Sequence, residues 1–154
     1  MELARYGWSQ AQLLDLSVNV NPWGPHPEVE RAVREADLAR YPEPDAAQAR
    51  AAIAQCCGVD PERVLVGHGS TELLWAAVSL LRGSARPLLV VGPTFSEPLS
   101  AAQAHGVPCV EFRCQARDDF ALDLAALSRA IASCDAAGVY LCQPNNPTGG
   151  ALPA

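Results

Sequence analysis

The sequence predicts an α/β domain with a mostly parallel sheet, part of a three-layer sandwich. Two observations carry this. Short apolar runs recur at Val64-Leu-Val-Gly67, Pro87-Leu-Leu-Val-Val-Gly92, residues 107–113 and Gly138-Val-Tyr-Leu-Cys142. Helical segments of about ten residues separate them, the size of crossover that parallel strands require. Runs that are apolar at successive positions suit strands covered on both faces. With 154 residues, 49% of them apolar, the chain suits one domain on the prior of roughly 100–200 residues per domain.

The elements follow in order. Residues 1–25 read as an N-terminal arm, and residues 26–154 as the α/β portion. In the arm, Leu16-Ser-Val-Asn-Val20 alternates as a short extended piece does, and Asn21-Pro-Trp-Gly-Pro25 is a dense turn signal. Residues 27–38 predict a helix, with Pro27 suited to its first turn and Val29, Ala32, Val33 and Ala36 on one stripe. Tyr41-Pro-Glu-Pro44 is a stiff link, because a residue before proline avoids helical angles. Asp45 is placed to cap a helix that Gly58 ends. Further helices are expected over 70–81, closed by Arg82-Gly83, over 96–105, closed by Gly106, and over 124–133, capped by Asp123.

Composition removes several classes of function. The net charge is −6, and the eleven basic residues, all arginine, form no run, so nucleic acid would meet a repulsive field. The first residues lack the basic start and apolar core of a secretory signal. No stretch reaches the roughly 18 apolar residues of a membrane span. The six cysteines form no C-x-x-C pair and the three histidines are scattered, so neither a metal site nor a disulfide framework is expected. Cys109, Cys114 and Cys142 are expected as small buried thiols in or beside strands. A cytoplasmic location is the expectation that follows.

Three loops after strand ends are candidates for chemistry, since open α/β sheets bind ligands at the carboxyl ends of their strands. Gly67-His-Gly-Ser-Thr-Glu72 joins a strand to a helix, and the start of a helix offers unpaired N–H groups and a positive dipole end. Gly69, Ser70 and Thr71 would there seat a phosphate. Plain helix capping is the alternative, because Ser-Thr-Glu opens many helices. A dinucleotide site is a weaker match, with Glu72 standing at the third glycine position of G-x-G-x-x-G. Gln143-Pro-Asn-Asn-Pro-Thr-Gly149 is a stiff loop that can fix an amide, a neutral donor to a ring oxygen, or can simply be an elaborate turn. Phe95, beside Gly92-Pro-Thr94, could stack on a planar ring or pack in the core.

Together and in this order, Asn19-Val-Asn-Pro-Trp-Gly-Pro25, Arg40-Tyr-Pro-Glu-Pro44, Gly67-His-Gly-Ser-Thr-Glu72, Gly92-Pro-Thr-Phe95 and Asn145-Asn-Pro-Thr-Gly149 resemble the fold-type I pyridoxal-phosphate enzymes of the class I/II aminotransferase type. The subgroup most similar in these motifs contains histidinol-phosphate aminotransferase and threonine-phosphate decarboxylase. The resemblance runs from about Leu14 to Gly149 and implies the N-terminal part of the family's large, cofactor-binding domain. It implies that the amides of Ser70 and Thr71, beside Gly69, hold the cofactor phosphate, that Phe95 stacks on the pyridine ring, and that Asn146 bonds the ring's 3-hydroxyl oxygen. It also implies a homodimer in which Tyr41 reaches the phosphate in the partner subunit, with Asn21 and Trp23 near a small, phosphorylated amino-acid substrate.

There are departures from the family's pattern: His68 where asparagine is common, Gln143 for an asparagine, and Trp23 for a tyrosine or leucine. The segment from Asp15 to Pro22 and the run Gly-Ser-Thr-Glu-Leu-Leu lean toward the decarboxylase branch, and so toward cobalamin side-chain synthesis. The resemblance further implies that the covalent lysine and the aspartate opposite the pyridine nitrogen follow the Asn-Pro-Thr-Gly segment, beyond residue 154. The chain contains no lysine. It is therefore expected to be a fragment without transaminase or decarboxylase activity of its own. A nonenzymatic α/β nucleotide-binding domain, or a degenerate truncated gene product, are the alternatives.

Overall fold

The computed structural model describes residues 3–9, 14 and 18–152. They fall into two compact units, residues 1–44 and 45–154. In the first unit, a 3-10 turn at Leu3–Tyr6 precedes helix α1, Pro27–Arg34. Leu16 and Ser17 of the expected extended piece lie outside the described residues. Helix α1 starts as predicted, with Pro27 in its first turn and His26 accepting from the Glu28 N–H. It ends four residues before position 38, where the Glu35 N–H turns back to the carbonyls of Arg31 and Val33. Its stripe is not buried, for Val29 and Val33 are exposed.

The second unit holds the sheet. Helix α2, Ala47–Cys57, ends as predicted at Gly58, which takes the left-handed conformation. Asp45 is not its cap. Ala46, itself left-handed, occupies that position and no side chain caps the helix. Val64 is extended, but residues 64–67 join no sheet, so the first expected strand does not form among the described residues. Its apolar character was readable; its partner was not. Helix α3, Ser70–Ser79, then leads into tight turns through residue 84.

Strand β1, Leu88–Gly92, lies between β2, Cys109–Arg113, and β3, Gly138–Tyr140, and pairs in parallel with both. All five residues of β1 are buried, as an apolar run at the centre of a parallel sheet should be. Its side chains alternate between two cores. Leu88 and Val90 pack with Val78 of α3, and with Ala101 and Ala102 of helix α4, Glu97–His105. Leu89 and Val91 pack against Leu127 of helix α5, Leu124–Cys134. The sheet thus has α3 and α4 on one face and α5 on the other, the three layers expected. Strand β2 is mostly exposed and carries Glu111 and Arg113, which suits the edge of a sheet. Cys109 is exposed, not buried as expected, because it begins this edge strand; Cys114 and Cys142 are partly buried. Partial desolvation of the sulfur raises the thiol pKa of Cys114 and, together with the Glu111 carboxylate, that of Cys109, although the residue as a whole is exposed.

Helix α5 carries the predicted cap: Asp123 accepts from the Ala126 N–H at 2.9 Å. Asp123→Ala should lower stability by about 1 kcal/mol, read from urea unfolding. An unchanged midpoint would show that this bond contributes nothing. No helix among the described residues is long and apolar enough to cross a membrane.

Candidate functional site

Strands β1 and β3 are parallel, so the loops that leave their carboxyl ends, 92–96 and 141–150, emerge on one side of the sheet. Helix α3 is tied to this neighbourhood through its middle. The Trp75 indole N–H donates to Glu97 Oε2 at 2.7 Å, joining α3 to the first residue of α4, just beyond Phe95. The Trp75 ring also meets His105 edge-on, with centroids 5.8 Å apart.

The start of α3 is exposed to solvent. Gly69 precedes the helix with φ 83° and ψ 169°, a region essentially closed to other residues. No side chain caps the helix there. Its first N–H groups, at Ser70 and Thr71, lie in exposed residues and have no partner within the helix. Glu72 behaves differently from a third glycine. Its Oε2 accepts a short hydrogen bond from the His68 N–H and stands 3.0 Å from His68 Nδ1. The His68 backbone bond, chiefly, holds the Glu72 carboxyl below the usual carboxylate range. The carboxylate is turned back to the loop and leaves the Ser70 and Thr71 amides free.

Phe95 is 37% exposed, so its ring is not consumed by the core. Asn146 is partly buried, and its side chain makes no hydrogen bond among the described residues. Its peptide bond to Pro147 is cis, as are those before Pro93 and Pro144. The neighbouring Asn145 is fully engaged, and the sequence reading did not single it out. Its side chain bonds Pro93, Thr94 and Thr148, and its backbone closes the turn with Gly149 and Gly150. The signal was present in the doubled asparagine, of which one can hold the loop while the other faces out. Gln143 locks the base of this loop, donating to the Leu152 carbonyl at 3.1 Å and accepting from the Leu152 N–H at 3.0 Å. Beneath the loops lies a cavity of about 120 Å³, lined by Val91, Cys114, Phe120, Leu122 and Asn145 among others. In β3, burial, chiefly, raises the Tyr140 hydroxyl pKa above its ordinary value.

The three remaining predicted residues stand in the first unit. The Asn21 amide closes a local turn, donating to the Gly24 carbonyl at 2.8 Å and accepting from the Trp23 N–H at 3.1 Å. Trp23 and Tyr41 are exposed, Tyr41 completely. No group of three or more potential metal ligands occurs among the described residues.

The sequence model of the aminotransferase class I and II family matches residues 11–154. The chain belongs to this family. The histidinol-phosphate aminotransferase of Sphingopyxis alaskensis is 41% identical over 143 residues, which are 89% of this chain and 37% of that protein. This family member therefore spans well under half the length of such relatives. Among solved structures, it is similar to the histidinol-phosphate aminotransferase of Sinorhizobium meliloti in complex with pyridoxal-5′-phosphate, with TM-score 0.73 and 29% identity over 81% of this chain and 34% of that one. The L-threonine-O-3-phosphate decarboxylase of Porphyromonas gingivalis is also similar, with TM-score 0.60 and 25% identity over 77% of this chain and 33% of that one. The fold-type I architecture expected from the motifs is thus the fold of the chain's structural neighbours.

Proposed function

We propose that this chain is the cofactor-holding N-terminal part of a pyridoxal-phosphate enzyme that acts on a small, phosphorylated amino acid. The observation that carries the reading is a complementary donor set: the Ser70 and Thr71 amides at an uncapped helix start, where the Gly69 N–H is itself held by the Gly67 carbonyl at 3.0 Å, an available ring at Phe95, and a neutral amide at Asn146 with no partner among the described residues. Each fits one part of the cofactor. The Ser70 and Thr71 N–H groups and the dipole of α3 attract the phosphate dianion. Phe95 offers an apolar face to the pyridine ring. The Asn146 Nδ2 donates to the ring oxygen without adding a charge, so it favours the ionised oxygen. When bound, pyridoxal phosphate supplies an electron sink for bonds at the substrate's α-carbon.

The reaction needs more than these residues. Without a lysine the 154-residue chain has no amine side chain to bind the cofactor covalently or to move the substrate proton. The chain alone is accordingly inactive in this reading. The exposed Tyr41, Trp23 and Asn21 serve the site in a homodimer, Tyr41 toward the partner's phosphate, and the enzyme works in the cytoplasm. Names among the relatives favour amino-group transfer from a phosphorylated substrate, with α-carbon decarboxylation as the neighbouring chemistry.

A fusion tests the enzyme reading: the part of the Sphingopyxis alaskensis relative beyond its matched stretch is placed after this chain. With histidinol phosphate and an oxo-acid acceptor, the fusion should transfer the amino group. With threonine phosphate, release of carbon dioxide would instead assign decarboxylation. A folded fusion that binds pyridoxal phosphate but does neither would contradict the substrate class. In the same fusion, Asn146→Ala should weaken the cofactor by roughly 10- to 100-fold, the loss of a hydrogen bond to a charged group worth about 1.5–3 kcal/mol. Unchanged affinity and spectrum would remove Asn146 from the site.

A further inference from the structure

The loops at the ends of β1 and β3 are joined through one side chain. Asn145 Oδ1 accepts from Thr94 Oγ1 at 2.8 Å. Asn145 Nδ2 donates to the Pro93 carbonyl at 2.9 Å and to Thr148 Oγ1 at 2.8 Å. The Asn145 N–H donates to the Gly150 carbonyl at 2.8 Å, and its carbonyl accepts from the Gly149 N–H at 2.7 Å. Among the described residues, no other side chain of the 143–150 loop bonds the 92–96 loop. Pro93 and Thr94 lead directly into Phe95, and Asn145 leads directly into Asn146.

We propose that Asn145 is a positioning residue for the cofactor ring, fixing the separation between the ring of Phe95 and the amide of Asn146. This rests on the cofactor reading above. A planar ring gripped by its face and by one edge oxygen needs both groups held to within about 0.5 Å, which requires locked supporting side chains. Only a side chain with two donors and an acceptor completes this junction, and asparagine supplies them without charge. A carboxylate at 145 would keep the bond from Thr94 but would set an oxygen lone pair against the Pro93 carbonyl.

The test compares the 154-residue chain with its Asn145→Asp, Thr94→Val, Thr94→Ser and Asn146→Ala variants. Each is titrated with pyridoxal 5′-phosphate, followed by cofactor absorbance, and with inorganic phosphate. Backbone hydrogen exchange is followed over 93–96 and 145–150. Asn145→Asp should weaken pyridoxal phosphate at least tenfold, change inorganic phosphate less than twofold, and speed exchange at Gly149 and Gly150. Asn146→Ala should also weaken pyridoxal phosphate while leaving that exchange slow, which separates touching the ring from holding the loops. Thr94→Val, which removes the bond to Asn145 Oδ1 and the side-chain bond to the Tyr140 hydroxyl, should weaken pyridoxal phosphate at least threefold, and Thr94→Ser, which keeps the hydroxyl for both, should restore it. If the Asn145→Asp chain fails to fold, the Thr94 pair decides.

Asn145→Asp or Thr94→Val binding pyridoxal phosphate within twofold of the unaltered chain would overturn the positioning role alone. Parallel loss of inorganic phosphate would overturn it as well, by showing a general structural effect. An unaltered chain that binds no pyridoxal phosphate would overturn the cofactor reading and the positioning role with it.

Discussion

Leu89→Ala should destabilise the 45–154 unit by about 2–5 kcal/mol, the range for emptying a buried leucine site. Leu89 is completely buried at the centre of the middle strand. It packs in the core that β1 shares with α5, whose other members include Val91, Leu127, Phe112 and Ile131. The sheet and α5 enclose it from opposite sides, so neighbours cannot close the void without moving a strand. A domain of this size is commonly stable by only about 5–15 kcal/mol, so the variant should unfold at a markedly lower urea concentration. Val110→Ala, on the exposed edge strand, is the control and should cost less than about 1 kcal/mol. Equal midpoints for the two variants would contradict the assignment of Leu89 to the core.

Gly69→Ala should impair binding as well as stability. The backbone at Gly69 has φ 83° and ψ 169°, and holding a non-glycine residue there costs of order 1–3 kcal/mol. A methyl group would meet nothing within 4 Å, so the penalty is conformational and not steric. The chain can relieve it by swinging the residue back toward negative φ. That movement displaces the Ser70 and Thr71 N–H groups from a shared anion. Pyridoxal phosphate and inorganic phosphate should both weaken by roughly tenfold, equivalent to about 1.4 kcal/mol. This differs from the Asn145 and Asn146 variants, which should spare inorganic phosphate. A Gly69→Ala chain with unchanged phosphate affinity would place the anion elsewhere.

Much of this was legible in the residues. The Leu-Leu-Val-Val run announced a strand buried on both sides because both alternating sets of side chains are apolar. Gly58 and Gly106 announced helix ends because they take left-handed angles there, and Asp123 announced a helix start because its carboxylate can bond the first turn. The errors share a cause. Val64-Leu-Val66 has the composition of a strand, but a strand also needs a partner, which local composition does not specify. Asp45 has the chemistry of a cap, but the chain enters α2 through a left-handed Ala46. Cys109 was expected inside on residue type, whereas its exposure follows from the edge position of β2. At the site, Phe95, Asn146 and the Gly69 turn stood out by type and spacing. The task of Asn145 depends on contacts with Pro93 and Thr94, 52 and 51 positions away, which no local pattern reveals.

The central claim is that this chain holds pyridoxal phosphate through its phosphate and ring, without a covalent bond. Equilibrium titration of the 154-residue chain with pyridoxal 5′-phosphate, pyridoxal and a nicotinamide dinucleotide, followed by borohydride treatment and peptide mass mapping that separates the N-terminal amine from the side chains, tests it most directly. The account predicts saturable binding of the phosphate ester, at least tenfold weaker binding of pyridoxal and of the dinucleotide, and an unchanged side-chain mass after reduction. Equal affinity for pyridoxal with and without its phosphate, tighter binding of the dinucleotide, or cofactor fixed to a side chain of this chain would contradict it.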